Sequence, residues 1–331
     1  MSDDVVSAIT AWYGENARDL PWRQPGTSPW AVLVSEIMLQ QTPVARVLPA
    51  YQAWLARWPG PADLAAAAPA DALRQWGRLG YPRRALRLHA AATQIVTRHG
   101  GRVPDQLADL LELPGVGDYT AAAVACFAYG QSHPVLDTNV RRVLARLVSG
   151  QQWPPRSTSA AEVALARQLL PAGAAAPTWS VAVMELGALV CTAARPRCEA
   201  CPVAGHCAWR RLGSPAAEAP PGQQRYQGSD RQCRGRLLAV LRDADGPVSA
   251  SGLEQAWPDR QQQARSLAAL VADGLAVRLP AGRYSLPGSP PARPASTDGG
   301  ERQVPPASGR GLQGVPAARR ASADDGGPPV S

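Results

Sequence analysis

The chain has 331 residues, of which 45% are hydrophobic, and its formal net charge is +8. All 34 of its basic side chains are Arg, which excludes a Lys Schiff base and a Walker-type phosphate loop because both need an ε-amine. The length predicts two domains with a sizeable core, and the positive balance favours a polyanionic partner.

A helical pattern extends over residues 3–212 almost without interruption. Apolar residues recur at spacings of three and four, and short Pro/Gly segments separate the runs. Many short helices with brief connections predict an all-α globular domain at 1–212. The predicted helices are Val5–Trp12, Trp30–Gln41, Ala45–Trp58, Ala62–Ala68, Ala70–Leu79, Arg83–His99, Leu107–Leu113, Tyr119–Tyr129, Asn139–Val148, Ala160–Leu170 and Trp179–Val190.

The remaining third of the chain divides into a linker at 213–229, a small unit at 230–287 and a tail at 288–331. The tail is rich in Pro, Gly, Ala and Ser without a period, so we predict that it is disordered. Three helices followed by a hairpin have the element order of a winged helix, and we therefore expect a winged-helix-like unit. Its predicted elements are helices Cys233–Arg242, Ala250–Trp257 and Arg260–Ala272 and strands Ala276–Leu279 and Arg283–Leu286.

Two signals of targeting are missing from the sequence. Apolar runs stay below about 18 residues, and the N-terminus lacks the charged-then-apolar pattern of a secretion signal. We therefore expect a cytoplasmic protein that does not enter a membrane. We also expect a monomer.

Four of the six Cys lie within one stretch, Cys191-x6-Cys198-x2-Cys201-x5-Cys207. Four thiolates at this spacing can surround one inorganic centre, whereas disulfides are disfavoured in a reducing cytosol. Structural zinc sites usually pair two short Cys hooks, and only one occurs here. The spacing alone leaves zinc and a [4Fe–4S] cluster as alternatives.

Arginines lie beside two of the features that could contact a polyanion. Arg195 and Arg197 flank Pro196 inside the Cys stretch, where a loop fixed at both ends can present them to phosphate; two solvated arginines are the alternative. Arg141 and Arg142 follow closely after an acidic residue, Asp137, and a guanidinium there can hold a phosphate with two hydrogen bonds.

A Gly-x-Gly turn joins a helix ending near Leu111 to one beginning near Asp118. Its two glycines allow a tight turn and a close approach of backbone to a partner. The turn amides and the following helix N-terminus are suited to bind an anion, although a plain helical turn has the same pattern. The turn consists of Leu113, Pro114, Gly115, Val116 and Gly117.

Two carboxylates are candidates for chemistry. Asp137 precedes a predicted helix and is suited to be its N-cap. Glu36 lies among apolar residues, so we expect it to hold its proton more readily than a free Glu. Such an acid can donate a proton to a leaving group, but it can also belong to a structural network.

In combination, these segments resemble the adenine DNA glycosylase family of the helix-hairpin-helix superfamily. The resemblance covers about residues 10–210 and comprises Leu20–Trp22, Ser35–Thr42, Gly77–Tyr81, Leu113–Ala121, Leu136–Arg146, Met184–Ala188 and the four Cys. It implies a helix-hairpin-helix glycosylase fold with a [4Fe–4S] cluster on Cys191, Cys198, Cys201 and Cys207. The related endonuclease III type uses a Lys nucleophile where Tyr119 stands here, so the resemblance implies a monofunctional glycosylase without lyase activity.

The resemblance also implies roles for individual residues. Glu36 matches the general acid that protonates adenine N7, and Asp137 matches the carboxylate that stabilises the oxocarbenium-like sugar, with a separation of about 5 Å. Tyr119 and Asn139 match residues that orient these acids and the water. Arg18, Leu20 and Trp22 match the adenine pocket, and Gln41 and Tyr81 match side chains that wedge into the duplex when the base is flipped out.

Two departures from the family pattern bear on specificity. Val181 stands where many members carry a Gln or Glu that contacts the adenine amino group. Residues 213–331 do not resemble the Nudix-like domain that reads 8-oxoguanine in many members. The expected reaction is excision of adenine opposite 8-oxoguanine or guanine in double-stranded DNA, at the nucleoid. A uracil/thymine mismatch glycosylase and a non-catalytic Fe–S DNA-binding regulator are the alternatives.

Overall fold

The computed structural model describes residues 3–217 and 226–289. Residues 218–225 of the predicted linker and residues 290–331 of the predicted tail lie outside this part. The helices are α1 (Asp3–Asn16), α2 (Pro29–Leu39), α3 (Val44–Arg57), α4 (Pro61–Ala66), α5 (Pro69–Trp76), α6 (Arg83–His99), α7 (Leu107–Glu112), α8 (Asp118–Tyr129), α9 (Thr138–Leu147), α10 (Ala160–Leu169), α11 (Ala175–Leu189), α12 (Ala208–Arg211), α13 (Asp230–Asp243), α14 (Ala250–Glu254) and α15 (Arg260–Ala272).

The all-α class is confirmed, and each helix predicted within residues 3–212 is present with small differences at its ends. Helix α2 stops at Leu39 because the chain turns sharply at Gln41, whose φ is 56°. Helix α11 begins at Ala175, four residues before the apolar run that predicted it. The short helix α12 and three-residue 3-10 turns within the Cys stretch were not predicted, since two or three residues carry no readable period.

Two apolar clusters form most of the core. The first gathers side chains of α2, α3, α5, α6 and α8, where Trp54 packs edge-on against Trp58 and Trp76 with ring centroids 4.6 and 5.6 Å apart. Such tryptophan pairs supply the aromatic bulk of a chain that has a single Phe. The second cluster joins α1, α9 and α11. Because α2 belongs to the first cluster and α9 to the second, residues at their ends meet where the clusters adjoin.

The C-terminal elements follow the order α13, β1 (Val248–Ser249), α14, α15, β2 (Val277–Leu279) and β3 (Arg283–Ser285). The strands form an antiparallel sheet in the order β1-β3-β2, in which Tyr284 lies opposite Val248 and Arg278. Strand β1 was not predicted, and α14 ends three residues earlier than its apolar pattern indicated.

These elements pack directly against the preceding helices. Leu237 and Leu241 of α13 are buried in the same apolar cluster as Trp54 and Leu73, and α13 packs on α5. The described residues accordingly group into one compact unit. In the described part of the chain, no helix is both long and apolar enough to cross a bilayer.

Candidate active site

A cavity of about 1160 Å³ opens between the two apolar clusters. Its lining comes from the turn after α1 and from α2, α8, α9 and α11. Residues that are far apart within the first 190 positions therefore meet in this cavity. The sequence-predicted site residues in its lining are Arg18, Leu20, Trp22, Glu36, Gln41, Tyr119, Asp137, Asn139 and Arg141, and Val181 also lines it.

Glu36 lies on α2 and is only 4% exposed. Its Oε2 accepts a hydrogen bond of 2.8 Å from the Tyr119 hydroxyl on α8. Burial and, less strongly, the nearby Asp137 carboxylate raise the pKa of Glu36 to about 7, although the Tyr119 hydrogen bond and Arg23 oppose the rise. A carboxyl group with this pKa is protonated in a large part of the molecules at neutral pH and can donate a proton into the cavity.

Asp137 is the N-cap of α9, as its position before the helix predicted. Its Oδ1 accepts from the Val140 amide at 2.6 Å, and its Oδ2 accepts from Asn139 Nδ2 at 2.7 Å. Burial raises the pKa of Asp137, but these hydrogen bonds and the Arg142 charge oppose the rise. The two acids therefore differ: Glu36 has one neutral donor, whereas several donors favour the ionised form of Asp137.

A chain of hydrogen bonds runs from Asp137 to the start of the Cys stretch. Asn139 Oδ1 accepts from Arg142 Nη2 at 2.8 Å, and Arg142 Nε donates to the Cys191 carbonyl at 2.7 Å. Helix α11 can approach this chain closely because Gly187 lacks a side chain: an added Cβ would lie 2.7 Å from Asn139 Cβ. The backbone of Cys191, the first residue of the Cys stretch, is thus linked to the Asp137 carboxylate by hydrogen bonds.

Sequence reasoning missed the ion pair that holds the base pocket. The Glu185 side chain on α11 is fully buried and accepts from Arg18 Nε and Nη2, both at 2.7 Å, and from Arg23 Nη2 at 2.9 Å. Although burial acts in the opposite direction, these hydrogen bonds lower the pKa of Glu185 to about 2. The sequence signal for this ion pair was a single acidic residue, Glu185, in the apolar run of α11. Its partners Arg18 and Arg23 lie more than 160 positions earlier in the chain.

Arg23 has a donor left for a ligand. Its Nη1 is buried and has no hydrogen-bond partner among the described residues, and the side chain lines the cavity. A buried donor without a partner is costly, so a group bound in the cavity that accepts from it gains affinity.

We expect Glu185→Gln to lower the free energy of unfolding by about 3 kcal/mol, since it removes the buried anion that two arginines share. Urea denaturation of the full chain measures the change. Glu15→Gln, at an exposed position of α1, is the matched control and should change stability by less than about 0.5 kcal/mol. Equal stabilities of the two variants would contradict the importance of the ion pair.

The Gly-x-Gly turn between α7 and α8 has the features predicted for an anion site. Gly115 has φ 85°, and an added Cβ would lie 2.8 Å from Arg87 Cβ. The Val116 amide donates to the Leu113 carbonyl at 3.1 Å, while the amides of Gly115 and Gly117 have no partner among the described residues. Both amides and the N-terminus of α8 are therefore available to a phosphate.

The two predicted wedge residues are exposed and occupy the left-handed region of φ. Gln41 has φ 56° and lines the cavity; Tyr81 has φ 46°, is 41% exposed and lies outside the cavity lining. Backbone strain of this kind is retained where surrounding contacts enforce it.

The arginines predicted to hold phosphate differ in availability. Arg141 donates to both Glu162 carboxylate oxygens at 2.8 and 2.9 Å and to the Pro155 carbonyl, so its donors are engaged within the protein. Arg142 is buried and committed to Asn139 and Cys191. The sequence could not reveal these partners, and phosphate binding by Arg141 or Arg142 stays a prediction.

Within the Cys stretch, Arg195 and Arg197 are both exposed, and Arg197 Nε donates to the Leu189 carbonyl at 3.2 Å. The four thiols lie after α11 beside Arg146, which is almost fully buried. Its Nη1 donates to Cys191 Sγ at 3.4 Å and to the Thr192 carbonyl at 2.8 Å. Arg142 and Arg146 thus together fix the start of the stretch.

Comparison with known proteins agrees with this geometry. The family "HhH-GPD superfamily base excision DNA repair protein" matches residues 34–168. An adenine DNA glycosylase of Mycobacterium tuberculosis (strain H37Rv) is 54% identical over 282 residues, covering 85% of this chain and 92% of the relative. One from Mycolicibacterium smegmatis is 52% identical over 281 residues, covering 85% and 95%.

Among solved structures, a thermostable thymine-DNA glycosylase aligns with a TM-score of 0.58 and 29% identity, covering 62% of this chain and 95% of its own. The buried acid, the N-cap carboxylate and the Gly-x-Gly turn on this fold define a DNA glycosylase of base excision repair. Within that class, the chain belongs to the adenine DNA glycosylase family.

Proposed function

We propose that the protein excises adenine paired with 8-oxoguanine or guanine in double-stranded DNA, in the cytoplasm at the nucleoid, and leaves the strand intact. The observation that carries the proposal is Glu36, a buried acid with a pKa of about 7 that shares one cavity with Asp137. The names of the mycobacterial relatives support adenine as the base.

The proposed reaction begins with the adenine flipped out of the duplex into the cavity. Glu36 protonates adenine N7, so the base leaves as a neutral molecule when the bond between N9 and C1′ breaks. The Asp137 carboxylate stabilises the positive charge that develops on the sugar, and Asn139 holds it in place. Water then adds at C1′ and yields an abasic site.

Strand cleavage is not part of the proposal. A Schiff-base lyase needs a primary amine, and the position two residues past Gly117 holds Tyr119 in a chain without Lys. The Tyr119 hydroxyl is instead engaged with Glu36.

The experiment incubates duplexes carrying A opposite 8-oxoguanine, A opposite guanine, and T or U opposite guanine with the full chain, with and without later alkali. We expect alkali-dependent breaks at A. Breaks at T or U alone would favour a mismatch glycosylase, an alternative that the similarity to a thymine-DNA glycosylase structure supports. Breaks without alkali would contradict the monofunctional assignment. Binding without any breaks would favour a non-catalytic DNA-binding protein.

The pH profile of excision tests the role of Glu36. Because the protonated form is active, the single-turnover rate should fall about tenfold per pH unit above pH 7. Tyr119→Phe removes the hydrogen bond that lowers the pKa of Glu36, so the descending limb should move to higher pH. A limb that stays in place or moves to lower pH would contradict the proposed coupling.

We also propose that Cys191, Cys198, Cys201 and Cys207 hold a [4Fe–4S] cluster. Burial and, less strongly, the charges of the other three thiols raise the pKa of Cys201 to about 11, so the four lie close together. In the described part of the chain, no three His, Cys, Asp or Glu side chains meet closely enough for a single metal ion. The proposal rests on the Cys-x6-Cys-x2-Cys-x5-Cys spacing, whose single short hook favours such a cluster over structural zinc; the bound group would cross-link the segment carrying Arg195 and Arg197.

Iron and sulfide analysis of the purified protein tests the cluster. We expect about four irons per chain, a loss of most of this iron in Cys198→Ala and an unchanged content in Cys233→Ala, which alters a buried Cys of α13 outside the stretch. Stoichiometric zinc without sulfide would contradict the cluster.

A further inference from the structure

Two exposed loops on the same side of the protein share one buried cation. Arg84, on α6, donates through Nη1 to the carbonyls of Ile37 and Met38, each at 2.9 Å, at the end of α2. Its Nη2 donates to Thr42 Oγ1 at 2.9 Å and to the Gly80 carbonyl at 3.1 Å. Arg84 therefore ties the Gln41 loop (residues 40–42) to the Tyr81 loop (residues 77–81).

The Tyr81 loop holds a bulky side chain in a backbone conformation that it rarely adopts. Tyr81 has φ 46°, and the two residues that the resemblance assigns to the duplex, Gln41 and Tyr81, are among the non-glycine residues with positive φ in the described chain. Strain of this size persists only where neighbours over-determine it. Trp76 Nε1 contributes by donating to the Gly80 carbonyl at 2.9 Å.

The C-terminal elements supply further restraints on the same loop. Arg242 of α13 donates to the Gly77 carbonyl, where the loop begins, and its own carbonyl accepts from Arg74 Nε at 3.4 Å. Arg231, at the start of α13, lies with its guanidinium carbon 5.7 Å from the Tyr81 ring centroid and 5.2 Å from that of Tyr226. Both distances fall within the range of a cation–π contact.

A third contact fixes the orientation of the C-terminal elements. Arg83, two residues after Tyr81, pairs with Asp273 at 3.2 Å, and Asp273 also pairs with Arg234 of α13. The loop is thus restrained at its first residue, at its aromatic tip and just beyond its end, each time by a side chain from residues 230–273. A single exposed ion pair contributes little to stability. These contacts matter because all three reach the Tyr81 loop or the residues directly after it.

We infer that the C-terminal unit positions the Tyr81 loop for insertion into the duplex, with Arg231 and Arg242 as positioning residues that act through Tyr81. The inference rests on the proposed function and deepens it. The C-terminal elements thereby set how firmly the Tyr81 side chain probes the strand opposite the adenine.

The test is a double-mutant cycle in the full chain. Arg231→Ala should lower single-turnover excision from A:8-oxoguanine about two- to fivefold, and Arg242→Ala about tenfold, with partial rescue by Arg242→Lys. In a Tyr81→Ala background, Arg231→Ala should cause no further loss, because interacting residues are non-additive. Arg236→Ala is the matched control: this α13 residue is exposed and has no hydrogen-bond or ion-pair partner among the described residues.

Salt dependence separates positioning from direct phosphate contact. A positioning residue leaves the slope of log Kd against log salt unchanged, whereas an arginine on a phosphate lowers it by about one. The inference is overturned if Arg231→Ala changes that slope and adds fully to Tyr81→Ala, or if it behaves like Arg236→Ala. Thermal melts show whether Arg242→Ala is folded. Because Arg231 is exposed, its substitution tests the inference without altering the core.

A second readout distinguishes failure of the inference from failure of the proposed function. Fluorescence of 2-aminopurine beside the target reports unstacking of the duplex on binding, whether or not a base is excised. If the wild type does not excise adenine, the proposed function fails; if its unstacking signal is still lost in Arg231→Ala and not in Arg236→Ala, the inference stands. Equal unstacking by all variants would overturn it.

Discussion

Glu36→Gln lowers the single-turnover rate of adenine excision by about a thousandfold or more, while duplex binding changes less than about threefold. General acid catalysis contributes factors of this order, and a Gln amide has no proton to give at neutral pH. The substitution is close to isosteric, and the amide oxygen still accepts from the Tyr119 hydroxyl at the position of Oε2. The cavity therefore keeps its shape and loses only its acid.

The measurement combines single-turnover excision of an A:8-oxoguanine duplex with an equilibrium binding titration on the same duplex. Glu112→Gln, at an exposed position of α7, is the control and should match the wild type in both assays. Turnover by Glu36→Gln within tenfold of the wild type would remove the general acid assignment. Parallel losses of binding and excision would instead show that Glu36 shapes the cavity.

The sequence was sufficient to predict the helices and both acids. The periodicity of apolar residues located each helix of the first 212 residues except the four-residue α12, because those helices bury one face in a common core. Asp137 was recognisable as an N-cap, and a lone acid in the apolar segment around Glu36 indicated a raised pKa; both features depend on local sequence. The structure adds what neither pattern contains, namely that α8 brings Tyr119 to Glu36.

The contacts that sequence reasoning missed are made by arginines. Arg141 was interpreted as a phosphate ligand, but Glu162 holds it, and Arg84 was not singled out although it joins two loops. A guanidinium on a long side chain can reach any of several acceptors, and the choice depends on helix packing. The sequence also did not reveal that α13 packs on α5. An apolar helix face shows that a partner exists, but only the folded structure shows which helix it is.

Asp137→Asn lowers excision of adenine by about a hundredfold or more while the fold is retained. Removing one preorganised group that stabilises charge in a transition state typically costs this much, and here the lost charge faces the developing oxocarbenium. Asn is as good an N-cap as Asp, so the Val140 amide keeps its acceptor. Asn139 Nδ2 loses its carboxylate partner, which lowers the free energy of unfolding by about 1 kcal/mol.

Asp259→Asn provides a matched control, because Asp259 is the N-cap of α15 and accepts from the Gln262 amide at 3.0 Å. It makes the same chemical change at a helix start far along the chain, and its excision rate should equal that of the wild type. Asp137→Asn should also move the descending limb of the pH profile to lower pH, since the Asp137 charge raises the pKa of Glu36. The shift reports the Asp137 charge beside Glu36, and the excision rate reports its role in the reaction, so equal rates for the two Asn variants would remove Asp137 from the reaction.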